Sequence, residues 1–456
     1  MKKVLAITLS LLMLISLLAA CGDTSSPGGD PGTTPPVQPP PAPGGEYNPP
    51  TEEDDFSAVG DDVAEYEPDY SLSGTLKVWY DNDTYFEEMR ERFNALYPNI
   101  TIEYERVAHT DARGRMQLDG PAGIGADVFM LPHDHIGNAI LDGLIEPIDE
   151  SLQKKLEQTL SSSAVKTVKS DGYMYAVPMT VENIALFYNK DLWGPNPPAT
   201  MEEIITFAQS YNDPAAGKWT MGWQIDDAYH NYHWQSAFGM EFMGPDQRDY
   251  KNPGFDSPGS LEGIKYMMYL RENLFDVPSG DAGWSSTVGM FQQGELPLTI
   301  TGPWAIADAA RNGVNFGVTK LPTIDGRQPI CFHGIRAACM SSYTTKPDLA
   351  MAFLDFLASV DGADYFYNVE GMLPAILDQS KVPGLSGDTY LAGIMQQNPF
   401  TIPMPLIPEL QMGGWDGLRD SFVFAWDGQL TAEESQVKAM DTYKLALQAA
   451  GKDVDF

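Results

Sequence analysis

The apolar positions of this chain recur with two periods. Thr75-Leu76-Lys77-Val78-Trp79-Tyr80 has the character of a strand, and Asp81-Asn82-Asp83 can cap a helix behind it. Phe86, Met89, Phe93 and Leu96 then fall on one helical face. Further strands are predicted at 100–107 and 127–131, followed by a helix carrying Ile136, Ile140 and Leu144. Strands that alternate with helices predict an α/β fold with mostly parallel sheets flanked by helices.

The segment 172–193 is the most informative stretch. It alternates through Tyr173-Met174-Tyr175-Ala176-Val177, is interrupted by Pro178, and resumes as an apolar run over 184–188 before Asn189-Lys190-Asp191. A run apolar on both faces suits a strand buried between layers. Glu182 lies inside it, and a carboxylate in such surroundings must find hydrogen-bond donors. Beyond it, Thr200-Met201-Glu202-Glu203 resembles a capping box opening a helix through Tyr211. Strands are expected at 219–225, 298–304, 315–320 and 331–338, a helix at 261–274, and helices dominate after Pro347.

A length of 456 residues exceeds what one core usually supports, so at least two lobes are expected. Residues 1–20 read as a targeting segment: Lys2 and Lys3, an apolar region over 4–18, and Ala19-Ala20. Leu18-Ala19-Ala20-Cys21 resembles the bacterial lipobox, which implies cleavage before Cys21 and its acylation. Residues 21–71 are Pro-rich and then acidic, and read as a disordered tether. Some fifty residues at ~3.1 Å each reach on the order of 150 Å, which fits a lipid-anchored protein on a Gram-positive surface with a thick wall. The net charge of −35 argues against nucleic acid, whose phosphates need clustered Lys and Arg.

Enzyme signals are sparse. The chain has no nucleotide-binding P-loop, no H-E-x-x-H and no paired-Cys zinc spacing. Asp81-Asn82-Asp83 begins like a calcium loop, but Tyr85 and the missing glycine break the pattern. Neither a metal nor a cofactor is expected. Cys331 and Cys339, on one strand, would lie ~26 Å apart, which leaves two buried free thiols. The positive signal is a set of carboxylates and aromatic rings at the ends of elements. Sugars present apolar C–H faces that stack on rings and hydroxyls that suit carboxylates. A glycoside hydrolase using Asp134 and Glu182 as acid and base is the competing reading; its two carboxylates would have to flank one glycosidic bond.

Several motifs then resemble the extracellular solute-binding proteins of bacterial ABC transporters, in particular their maltose/maltodextrin-binding branch. They include Tyr175-Ala176-Val177-Pro178 with Glu182, Tyr188-Asn189-Lys190-Asp191-Leu192, His133-Asp134, Gly302-Pro303-Trp304, Asn315-Phe316-Gly317-Val318-Thr319, Pro403-Met404-Pro405 and Trp415. The resemblance implies a type II two-lobed fold that closes by hinge motion over a sugar. It implies lobe 1 at 72–181 plus 336–378, lobe 2 at 185–331 plus 382–456, and hinges near 180–184, 332–336 and 376–382. It further implies Asp83, Asp134 and Glu182 as hydroxyl acceptors, and Trp304, Trp415 and Trp284 as stacking platforms. Tyr229, Tyr232 and Trp234 fall in the family's aromatic segment. His135 stands where the maltose-binding branch has a sugar-bonding Arg, Leu131 where it has a stacking Trp, and Thr84 where it has a Lys. The implied partners are a di- or oligosaccharide and a membrane permease, with the chain acting as a monomer. A sensor role is the variant of that reading.

Overall fold

The computed structural model describes residues 59–60 and 62–456. Cys21, the expected leader and most of the expected tether lie outside them. The end of that tether is packed, contrary to expectation. Tyr66 sits against the first core, Lys154 Nζ donates to the Val63 carbonyl at 2.6 Å, and the Tyr70 ring lies 5.2 Å from that of Tyr97. Tyr66 supplies apolar area that the acidic composition concealed, while Tyr70 stays exposed. No helix among the described residues is long and apolar enough to cross a membrane.

The first sheet begins with β1 (Gly74–Tyr80), β2 (Ile100–Arg106) and β3 (Val128–Pro132), which run parallel with β1 in the middle. Helix Asp83–Leu96 connects the first two and buries Phe86, Met89 and Phe93, as its period predicts. β4 (Lys169–Ser170) and β5 (Tyr173–Met174) form a short hairpin, turned by Asp171-Gly172 with φ of 51° and 81°. Positive φ at both positions suits the twist of a two-residue hairpin turn, and Asp-Gly adopts it at little cost.

β6 (Val177–Asn183) belongs to the first sheet and β7 (Ala185–Asn189) to the second, with only Ile184 between them. Pro178 therefore does not end the strand. It lies where the pairing with β11 (Cys331–Met340) slips, between Arg336 and Ala337, and a bulge accommodates a residue that has no N–H to donate. With β12 (Leu373–Pro374), the first sheet has the order β12–β6–β11–β3–β1–β2, and β13 (Thr401–Pro403) pairs with β11. The second sheet, β10–β7–β9–β8, is built from β8 (Met221–Gly222), β9 (Leu298–Thr301) and β10 (Phe316–Thr319) around β7.

The expectation of mostly parallel sheets holds for β1, β2 and β3 and for the short pairs β11–β13 and β8–β9, but not for the strands between them. β11 is antiparallel to β3 and β6, β12 to β6, and in the second sheet only β8 and β9 run parallel. Parallel neighbours need a crossover connection, usually a helix. β6, β7 and β11 are instead the strands by which the chain passes between cores, and that passage sets their direction. β11 itself carries Cys331 and Phe332 into the second lobe's clusters and Ala337 to Met340 into the first.

Cys331 and Cys339 are free and buried on that strand. Burial pushes the Cys331 thiol up to about 12 and Cys339 well above the usual thiol range, so neither is a ready nucleophile. The capping box at Thr200 differs from its sequence pattern. Thr200 Oγ1 accepts from Glu203 N at 3.2 Å, but the Glu203 carboxylate accepts from Ala199 N rather than from the cap residue.

Phe332 is the residue through which β11 anchors the second lobe: its ring stacks on Tyr232 at 4.3 Å and meets Trp415 edge-on at 5.4 Å. Phe332→Ala should destabilise the fold by about 3–5 kcal/mol. A denaturant midpoint within about 1 kcal/mol of the unaltered protein would show that this ring is dispensable.

Candidate functional site

A cavity of about 750 Å³ opens between the residues of the two cores. One wall comes from the ends of first-sheet strands: Asp134 and His135 after β3, Glu182 near the end of β6, and Arg336 on β11. The other wall comes from Tyr229 and His230 in the first turn of helix Ala228–Ser236, from Trp304 in the 3₁₀ turn after β9, and from Trp415 and Arg419 in helix Trp415–Trp426. Strand ends and first helical turns point side chains into the gap, while the elements behind them are held by packing.

The aromatic wall is preassembled. Trp304 lies 6.4 Å from the Tyr229 ring and 5.9 Å from the His230 ring. Asp227 positions that turn: its carboxylate accepts from the backbone N–H of Tyr229 and of His230 at 2.8 and 3.4 Å. Gln411 and Trp415 come from one π-turn, Leu410–Gly414, and the residue that follows it. Such turns re-aim side chains by inserting an extra residue. Both reach across to Asp134: Gln411 Nε2 donates to Oδ2, and Trp415 Nε1 donates to the same oxygen at 3.0 Å. The other oxygen, Oδ1, is buried without a partner among the described residues.

The carboxylates converge on a single guanidinium. Arg336, 8% exposed, lies 3.5 Å from Asp81 Oδ1, 3.9 Å from Glu182 Oε2 and 4.0 Å from Glu370 Oε2. Burial opposes charge on Asp81, but Arg336 and the His109 ring at 2.5 Å hold it ionised well below the usual carboxylate range. Burial pushes Glu370 the other way, above its ordinary value, although Tyr80 and Tyr365 donate to its Oε1. Gly334 faces Glu182 across the β6–β11 pair, and a Cβ there would come within 3.3 Å of Glu182 Cγ, so glycine leaves room for the acid. A second cavity of about 200 Å³ adjoins this cluster, lined by Asp81, Asn82, Trp284, Trp304, Arg336 and Glu370 among others.

The structure brings Asp134, His135, Glu182, Tyr229, Trp304 and Trp415 together at the larger cavity and places Trp284 at the smaller one. It does not bring Asp83, Tyr232 or Trp234 to either. Asp83 is exposed and takes the Tyr104 hydroxyl at 2.6 Å and Arg106 at 3.3 Å. Tyr232 is buried with its hydroxyl on the Met240 carbonyl, and Trp234 is buried against Trp223. The reason is that helix Ala228–Ser236 is buried nearly all round, so only its first turn reaches the cleft. Asp81, His109, His230, Arg336, Gln411 and Arg419 were missed. Arg336 alone left a legible signal, a single charge inside the apolar run Gly334-Ile335-Arg336-Ala337-Ala338.

Residues 79–364 match the family described as bacterial extracellular solute-binding protein. The chain belongs to that family. Among its relatives, a maltotriose-binding protein of Pyrococcus abyssi is 28% identical over 358 residues, covering 76% of each chain. A maltooligosaccharide ABC transporter solute-binding lipoprotein of Streptococcus pneumoniae is 25% identical, covering 78% of this chain and 86% of its own. The crystal structure of a cyclo/maltodextrin-binding protein complexed with maltotetraose superimposes with a TM-score of 0.68 at 27% identity, covering 86% of this chain and 100% of that one. The two-lobed type II architecture is thus shared with solved members of the family.

Three histidines behind the cleft give this family member a pH signature. Burial lowers His133 to about 4, His233 to about 3 and His333 to about 4, from 6.5. His133 is held in its neutral form by accepting the Ile335 N–H on Nδ1 at 3.0 Å. Between these values and 6.5 the unfolded chain binds protons that the native state refuses, so stability rises with pH there and is lost on acidification. Denaturant midpoints should therefore fall from about pH 6.5 to about pH 4, and more shallowly in His233→Gln. A flat profile would mean that native and unfolded imidazoles take up protons alike.

Proposed function

We propose that this protein is the lipid-anchored substrate-binding component of a carbohydrate ABC importer. It captures a maltodextrin-like di- or oligosaccharide in the inter-lobe cleft and hands it to a permease. The observation that carries the reading is the pairing of platforms and acceptors across one cavity. Trp304, Trp415 and Tyr229 face a space of about 750 Å³ in which Asp134 Oδ1 and Glu182 Oε2 are buried acceptors without a hydrogen-bond partner among the described residues. Aromatic rings meet the apolar faces of pyranose rings, and ionised carboxylates make the stronger kind of hydrogen bond to hydroxyls. The family, together with relatives and a solved structure named for maltotriose, maltooligosaccharide and maltodextrin, supports the same ligand class.

Capture works by closure in this reading. Groups from the two lobes each satisfy part of one sugar, so the ligand stabilises the conformation in which both walls touch it. Asp134, already bonded to Gln411 and Trp415, would be the seam along which the walls meet. The lipobox-like Leu18-Ala19-Ala20-Cys21 and the tether behind it support anchoring outside the cytoplasm, as does a streptococcal relative that is a lipoprotein.

A melting screen against maltose, maltotriose and longer glucans tests the ligand class. A sugar at 100 times its dissociation constant should stabilise the fold by about 2.7 kcal/mol. If no carbohydrate moves the melting temperature, the sugar reading fails. Trp304→Ala and Trp415→Ala should each weaken binding about 10-fold or more while leaving the far-ultraviolet dichroism unchanged. Unaltered calorimetric affinity in both variants would mean that these rings serve packing alone.

A further inference from the structure

Arg336 is a buried cation for which the sugar-binding reading has so far found no task. It lines the larger cavity and the smaller one, and so does Trp304, which places both at their junction. Its three carboxylate neighbours stand at 3.5, 3.9 and 4.0 Å, near enough to balance its charge but beyond hydrogen-bonding distance. Arg336 Nε, Asp81 Oδ1 and Glu182 Oε2 are all buried without a hydrogen-bond partner among the described residues. Buried polar atoms in native proteins nearly always find partners, so three around one centre mark a place meant to be filled.

What fills it must both donate and accept. The unpartnered carboxylate oxygens can only accept and the guanidinium can only donate, whereas a hydroxyl does both. A pyranose bearing neighbouring hydroxyls meets that requirement. Resting on the sugar-binding reading above, we propose that Arg336 is a specificity-determining residue. It donates to a hydroxyl of the sugar unit at the junction of the two cavities, and its charge offsets that of Asp81 and Glu182, which accept from the same sugar.

The charged and titratable groups around Arg336 are few. Asp81 comes from the loop after β1, Glu182 from β6, Glu370 from the segment after helix Val360–Asn368, the Tyr80 hydroxyl from β1, and the Tyr365 hydroxyl on Glu370 from that helix. His109 faces Asp81 from helix His109–Asp119. Without the guanidinium this cluster holds carboxylates and no permanent cation among the described residues. Like charges that close cannot all remain ionised, and one acceptor would then be held protonated or pushed aside. Acid would relieve that repulsion, so a loss caused by charge imbalance should shrink as pH falls.

Calorimetry with maltotriose at about pH 7.5 and about pH 5 separates the possibilities. Arg336→Gln should bind about 10- to 100-fold more weakly near neutrality, the range for a hydrogen bond to a charged group, and recover part of that loss in acid. Arg336→Lys, which keeps the charge but not the planar fork, should show a smaller loss and no acid recovery. Should Arg336→Gln not fold, Arg336→Lys still carries the test through its intermediate affinity. Affinities in the variants within about 2-fold of the unaltered protein at both pH values would overturn the proposal. So would equal losses in both variants with no response to pH, the mark of a disturbed cleft floor. If the unaltered protein itself binds no sugar, the functional reading fails first, and the two failures are thereby distinguished.

Discussion

One guanidinium among three carboxylates is the constraint around which the cleft is arranged. Asp81, Glu182 and Glu370 approach a common point at Arg336, and that point lies on β11, a strand with residues in the cores of both lobes. Burying so much charge is costly unless it is compensated. The compensation is partial, since the nearest contacts are ion pairs rather than hydrogen bonds. A site left short of hydrogen-bond partners in this way is suited to a ligand that brings hydroxyls.

The opposite wall is held by a different device. Its rings sit in the first turns of elements whose later turns are core, so each ring is backed by packing while it borders the cavity. Helix Ala228–Ser236 presents Tyr229 and His230 to the cavity and commits Tyr232 and Trp234 to packing. Phe332 ties this wall to β11, touching Tyr232 and Trp415 together.

Much of the site was legible because its residue types are unusual where they stand. Glu182 was conspicuous as an acid inside an apolar run, and Trp304 and Trp415 fell in motifs that resemble a family. Asp81 and Asp83 show the limit: both are acids in a short loop after β1, and only the fold shows that Asp81 meets Arg336 while Asp83 turns to Tyr104 and solvent. Tyr232 and Trp234 show it again, because an all-aromatic stretch carries no mark of which turn faces the cleft.

The sequence by itself determined the α/β class, the expectation of two lobes, the helix faces and the sugar-like chemistry, because these depend on local periodicity and on residue type. It also carried the lipobox-like leader and tether, whose reading rests on composition. Only the tertiary structure decided the direction of β6, β7 and β11, the bulge that admits Pro178, and the meeting of Arg336 with acids more than a hundred residues away in the chain. Those depend on where distant strands are brought side by side, and no local pattern records which partner a strand will find.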